Sequence, residues 1–581
     1  MSLPLQPEEA FAAISAGTPL DGFHLYALDL SGRDLTTANL RGAKLTRVNL
    51  SRTKLMSVDL AGVDIVDCDL SDADLSGAKL AATRVAMGSF RGAKLHGAAL
   101  RRARFAQVDL RDADLGGADL EGAAFLSCDL SKATLAKASL IKTQLDMSKL
   151  EAADLSGAEL TEVGAVRGDL RAANLKGTKL TKVVFAQADL RGADLEGATL
   201  EAVVLVGADL RGVRLPRKMK NVVLDEAKLG PLSEGEAGDL AGTSVAGAKL
   251  DGVDLAGVVL EGCSFRDVSL RGADLRGARL VHSTFMGCDL EGSNLKDATL
   301  DASIFYKASL RGADLSGRHM KLCVFKDADL SRAKLIAAKL DICVLDGATL
   351  TSVDFTDASI VSGTMRGAKL SGATIVRARF ERVDFESVDL TGVDLAGHSL
   401  VRCRFNGLDL SKRDFTGCDL SEAAFEGCRL PEAKFDGARL RGANFKKAHA
   451  EKASFRDAKA KGCFFGEADL RLAHFENAAL QGASFARADV SGARFEHAAL
   501  ARARFDHAKA HAASFAGADL MYACLPHADV SIADFTRANL TRASLHAIHD
   551  SGAVYLLAQL VGVQRTDDAL LEAEGFSPPS T

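Results

Sequence analysis

From Leu30 onward the chain places a large apolar residue at every fifth position: Leu30, Leu35, Leu40, Leu45, Leu50, Leu55 and Leu60. The series runs with few faults to Leu545. Leu and Phe are its usual members, with Val85, Ile360, Met365 and Val490 as weaker substitutes and Ala165, Ala450, Ala460 and Ala510 as small ones. Two residues before each comes a small residue, most often Ala, as in Ala38 to Gly42 and Ala188 to Gly192. A period of five fits neither an α-helix nor an alternating strand. It requires a backbone that turns the same way every five residues.

Internal repetition overrides length as a guide to domain number. The units have the form A-(D/N)-L-x-x, and over about residues 20 to 545 the sequence resembles the pentapeptide-repeat proteins. That resemblance implies an all-β fold, a right-handed quadrilateral β-helix in which four pentapeptides make one square coil of about 20 residues. The large residue and the small one two before it then point inward, and the other three face water. Small inward residues let the walls approach to interior packing density.

A four-sided coil makes residues 20 apart stack, and the Phe residues sort accordingly. Phe105, Phe125 and Phe185 share one phase with Phe265, Phe285, Phe305 and Phe325, and with the series from Phe385 to Phe505. A second series, Phe415 to Phe515, lies ten residues out of phase, on the opposite wall. The expected product is a rod of about 26 coils, on the order of 120 Å long at the inter-strand spacing.

One interruption separates a first β-helix (20–215) from a second (240–545). Residues 216–239 form either a distorted coil or a projecting loop. Leu224 and Leu229 keep the five-residue step but sit one register off. A loop on a rigid scaffold is a natural binding element, so Arg217, Lys218, Lys220, Glu234 and Glu236 are the candidate partner-binding residues. An open solenoid end needs a cap. Residues 1–19 are expected to supply an N-terminal helical cap, with the helix over Pro7 to Ala16. Residues 546–581 are expected to supply a C-terminal helical cap and a disordered tail. There the helices are read over 553–574, and Tyr555, Leu556, Leu557, Leu560, Leu570 and Leu571 cover the last coil.

Composition narrows the function. The 72 basic and 77 acidic residues leave a net charge of −5, too balanced for a field that holds or mimics nucleic acid. No secretory signal or apolar membrane span is read, so the expected compartment is the cytoplasm, with no membrane partner. Ten of the eleven cysteines (Cys68, Cys128, Cys263, Cys288, Cys323, Cys343, Cys403, Cys418, Cys428 and Cys463) occupy the small inward position as apolar filler. Cys524 is the exception. His507 and His511 have helical zinc spacing, but a five-residue turn puts them on adjacent walls; no metal site and no cofactor are expected. Asp169, Asp189 and Asp209 make an acidic ladder, beside which Arg171, Arg191 and Arg211 make a basic one. No nucleotide-binding or hydrolase motif is present, and a filled solenoid offers no pocket, so no catalytic residue is assigned.

The reading is a non-catalytic protein–protein interaction scaffold. A short stretch, Ala13 to Gly22, looks like the entry segments of pentapeptide-repeat regions associated with bacterial type VI secretion clusters. The alternative is a DNA-mimicking topoisomerase (gyrase) protection factor, as the family's quinolone- and albicidin-resistance members are; the charge balance counts against it. A protein partner is implied, direct nucleic-acid binding is not, and the chain is either a monomer or a homodimer through its C-terminal elements.

Overall fold

A computed structural model describes residues 5–229 and 238–574. The chain divides into two units, Met1–Asn294 and Leu295–Thr581, each with its own interior. Both are built from the right-handed square coil.

In the first unit Leu25 pairs with Leu45, Leu45 with Ile65, and Phe105 with Phe125, all parallel and 20 residues apart. In the second, Met320, Leu340, Ile360, Phe380 and Leu400 pair in succession. Four sides are visible in four consecutive bridges: Asp409 to Arg429, Asp414 to Lys434, Asp419 to Arg439 and Ala424 to Asn444.

Each side ends in a corner whose backbone is left-handed. Gly supplies it freely at Gly192 (φ 69°) and Gly212 (φ 78°). Lys132, Arg487 and Ala512 adopt it too, at about 1–2 kcal/mol each. The corner N–H offsets part of that cost by bonding the next coil, as from Lys132 to the Glu151 carbonyl at 2.8 Å.

The large inward residues are buried. Phe105 stacks on Phe125 at 4.9 Å, Phe265 on Phe285 at 5.0 Å and Phe305 on Phe325 at 5.1 Å. In the second unit the two opposed Phe series also meet edge to face, as Phe475 and Phe485 do at 5.7 Å and 90°. Several inward hydroxyls bond the neighbouring coil, as Thr143 donates to the Leu120 carbonyl and Ser148 to that of Phe125, while Thr53 and Thr178 donate to carbonyls of their own coil.

The interruption is a register slip. Met219 takes the inward place only four residues after Leu215 and pairs with Leu200, nineteen residues back. The lost residue is regained afterwards, since Lys218 bridges Asp239 and Val223 bridges Ser244, each 21 apart. Leu224 and Leu229 therefore follow Met219 in ordinary five-residue steps. Residues 216–229 run within the coil, and 230–237 lie outside the described residues.

The N-terminal helix α1 (Pro7–Ser15) starts on Pro7 with Glu8 and Glu9 in its first turn, favourable against the helix dipole. It buries Ala10 and Ile14. The Arg33 guanidinium lies 4.4 Å over the Phe11 ring.

The C-terminal end differs from the expected helices over 553–574. The coil continues: Val554 bridges Asp534, Gln559 bridges Asn539 and Gln564 bridges Ser544. Tyr555 stacks on Phe535 at 5.1 Å. The sequence hides this because Asp550 occupies the inward place after Leu545, and there it accepts a hydrogen bond from the Tyr555 hydroxyl. Only Asp568–Glu574 is helical (α2), and it buries no residue. Leu556 and Leu557, expected to cover the last coil, are 62% and 67% exposed. Residues 575–581, read as a disordered tail, lie outside the described residues.

Candidate interaction surface

Where the coils are regular the interior is filled with side chains, which leaves the outward positions free to vary. The Asp before each large residue has a structural task. Asp154 accepts the Ser156 N–H at 3.0 Å, and Asp29, Asp194 and Asp534 likewise accept the N–H two residues on. These carboxylates fix the corner.

The acidic ladder is neutralised by the arginines of its own coils. Each Arg meets its Asp with two parallel bonds. They measure 2.8 and 2.7 Å for Arg171 on Asp169, and 2.9 and 2.7 Å for both Arg191 on Asp189 and Arg211 on Asp209. Arg171 also reaches Glu151 at 3.1 Å. The bonds from Arg211 hold the Asp209 carboxyl down at about 2. The ladder thus presents alternating charge, not a row of free anions.

The cations of the slipped coil are spread out. Arg217 is largely buried and lies 3.5 Å from Asp254. Lys218 and Lys220 flank the buried Met219 and face outward. Glu234 and Glu236 lie outside the described residues. No backbone bridge joins Lys228 to Lys249 among the described residues, and beside that gap lies a cavity of about 490 Å³. Leu215, Met219, Leu224, Leu250 and Phe265 line it. A filled solenoid was expected to offer no pocket; this one lies at the slipped coil.

Ten cysteines are buried, and Cys524 is half-buried. Burial pushes the Cys263 thiol up to about 12. The Cys323 and Cys343 thiols donate to the Leu300 and Met320 carbonyls.

His507 and His527 stack at 4.8 Å, and His511 bonds the Ser531 hydroxyl. Sequence reasoning missed a convergence. Both His527 Nε2, at 2.9 Å, and His546 Nε2, at 3.2 Å, meet Glu574 Oε2. These three are the residues of metal-ligating type that come together among those described. The Asp567 N–H donates to His546 Nδ1 at 3.2 Å. A backbone N–H only donates, so Nδ1 carries the lone pair and Nε2 the proton. His546 therefore donates to Glu574, and the cluster is a latch on α2. Glu574 lies 28 and 47 residues from its partners, a separation no local motif reveals.

The family model described as "Pentapeptide repeats (8 copies)" matches eleven stretches between 25–62 and 498–531, and "Pentapeptide repeat region" matches 258–335 and 378–445. The chain belongs to the pentapeptide-repeat family. Among solved structures this pentapeptide-repeat protein is similar to full-length QnrB1, a plasmid-mediated fluoroquinolone resistance protein. The identity is 17% and the TM-score 0.19, over 42% of this chain and 93% of that one. It is similar to HetL, involved in heterocyst differentiation regulation in the cyanobacterium Nostoc sp. strain PCC 7120. There the identity is 23% and the TM-score 0.16, over 54% and 96%. A third is a pentapeptide repeat protein from the Arabidopsis thaliana thylakoid lumen, at 29% identity and TM-score 0.12, over 22% and 68%. A search of curated proteins finds no match. No helix among the described residues is long and apolar enough to cross a membrane.

Proposed function

We propose that this pentapeptide-repeat protein is a non-catalytic scaffold that binds protein partners on its outward walls. The observation that carries the reading is the neutralised ladder. Asp169, Asp189 and Asp209 spend their charge on Arg171, Arg191 and Arg211 and on the corner backbone. A surface so arranged suits patterned contact with folded protein better than imitation of phosphates. Lys218 and Lys220, outward on the slipped coil, are the contacts assigned to the partner, with Arg217 supporting them from Asp254.

The finer form of the proposal places the scaffold in a bacterial type VI secretion assembly, on the strength of the Ala13 to Gly22 entry segment alone. Capture from a cytoplasmic extract by the full chain, and by a Lys218→Glu/Lys220→Glu variant, tests the site. Equal capture by both removes it. The alternative, gyrase protection, is tested directly by supercoiling in the presence of a quinolone. Protection at stoichiometric protein would replace the scaffold reading. For self-association, the exposed Leu556, Leu557, Leu560 and Val561 of the last coil are the alternative contact to a monomer.

A further inference from the structure

From residue 124 to residue 284 one wall of the first unit carries no charge at its ladder positions, where the other three do. Its ladder runs Ala124, Gln144, Gly164, Val184, Val204, Val223, Ser244, Ser264 and Thr284, bridged without a break. On the next wall the equivalent places hold Asp169, Asp189, Asp209 and Lys228, and on the one beyond, Asp154 and Asp194. Corner carboxylates are useful at every side of this fold, so nine coils without one mark a surface under a different demand. At its centre Val166, Val206 and Ala186 join Val184, Val204 and Val223 in a half-exposed apolar strip.

The charges along the two edges of this strip have a pattern. On one edge stand Glu162 and Lys182, which pair with each other at 3.3 Å, and one position earlier in the corner Glu201 and Lys220, on four successive coils. On the other stand the corner residues Arg167 (φ 55°), Gln187, Gly207 and Glu226 (φ 59°). Reversed, each series meets its opposite. A two-fold axis lying across the wall, midway between Val184 and Val204, brings Glu162 toward Lys220, Lys182 toward Glu201, and Arg167 toward Glu226 of a second copy. Such an axis sets each edge against itself, running antiparallel. Arg167 spends only a hydrogen bond on Gln187, at 2.9 Å. Two acids lie beside the strip: Asp225 accepts the Ser244 hydroxyl at 2.8 Å, and Asp146 accepts the Val166 N–H at 2.8 Å.

We infer that this wall, uncharged along its ladder, is an isologous interface, occupied by a second copy of the chain packed antiparallel. The contact closes on itself, as two-fold interfaces do. The eight coils from Ala124 to Ser264 that face one another about this axis span about 38 Å and one side about 15 Å, giving about 600 Å² per partner, the lower end of stable interfaces. The inference goes beyond the scaffold reading and does not depend on it.

The test is sedimentation equilibrium of the full chain and of charge-reversed variants, with circular dichroism to verify folding. The wild type is expected to dimerise. Arg167→Glu alone and Glu226→Arg alone each place like charges opposite at two symmetry-related sites, and should raise the dissociation constant at least about tenfold. The double variant restores the pairing and should recover association. Mixing the two single variants should give a heterodimer with both pairs restored. A parallel dimer, which sets Arg167 near Glu162, would not be rescued by the double reversal. The inference is overturned if the wild type stays monomeric up to about 100 µM. It is equally overturned if its dimer ignores both reversals, or falls apart only on Leu556→Ser/Leu557→Ser at the other end.

Discussion

Phe485 lies flat against Phe505, with ring centroids 4.7 Å apart and planes 7° from parallel, while the Phe495 ring from the opposite wall meets it edge-on at 5.6 Å. Each Phe of this region is thus held along its wall and across the interior. Phe485→Ala empties a fully buried site and is expected to cost about 3–5 kcal/mol. Phe485→Leu should cost less than about 1.5 kcal/mol. Coils contact only their neighbours, so the damage should stay local. Hydrogen exchange is the measurement: amides around 465–505 should accelerate in the Ala variant, and those around 25–125 should not. Uniform acceleration would contradict nearest-neighbour stability.

The Asp209 carboxyl, held at about 2 by Arg211 against an ordinary 3.8, gives the fold an acid dependence. A depressed carboxyl stabilises the fold above its unfolded value and loses that contribution as pH falls through about 2. Asp209→Asn should therefore lower the urea midpoint slightly at pH 5 and leave it unchanged near pH 2. The pair is partly exposed, so the loss at pH 5 should be no more than about 1 kcal/mol. An equal loss at both pH values would assign the effect to packing instead of charge.

Most of the fold was legible because the interior tolerates so little. A square coil filled by one large and one small residue per side leaves a five-residue trace, and stacking sorts Phe residues 20 apart. The slip was only half legible. Leu224 and Leu229 betrayed the shifted frame, but Met219, the residue that makes it, stands after Pro216, Arg217 and Lys218, where no repeat unit is recognisable. The C-terminal coil was lost for a similar reason, since Asp550 broke the apolar series before Tyr555 resumed it. The outward positions answer to no packing rule, so the charge-free ladder from Ala124 to Thr284 shows only when residues 20 apart are set side by side. Glu574 was beyond any pattern, because its contacts depend on where the last coil ends.

Thiol reactivity separates the inward cysteines from the outward one. Burial raises Cys263 and Cys463 to about 12, and both are shielded from reagents. Cys524, half-buried before Leu525, is the one expected to react in the folded protein. Titration with an aromatic disulfide reagent should give one equivalent under native conditions and eleven in denaturant. Cys524→Ser should abolish the native equivalent. Two or more fast-reacting thiols in that variant would show that the coils open readily.

The last prediction concerns the latch on α2. His546 receives the Asp567 N–H on Nδ1 and gives its Nε2 proton to Glu574, while His527 meets the same carboxylate oxygen. The helix buries no side chain of its own, so these polar contacts carry much of its attachment. Glu574→Ala removes the acceptor and leaves the buried His546 donor unpaired, at a cost of about 1–3 kcal/mol. That exceeds what a helix of seven exposed residues can sustain alone. Amides of Asp568–Glu574 should then exchange at near-unfolded rates while those of coil 525–545 keep their protection. Glu574→Gln retains an acceptor oxygen and should keep partial protection. If α2 stays protected in the Ala variant, something other than these histidines holds it.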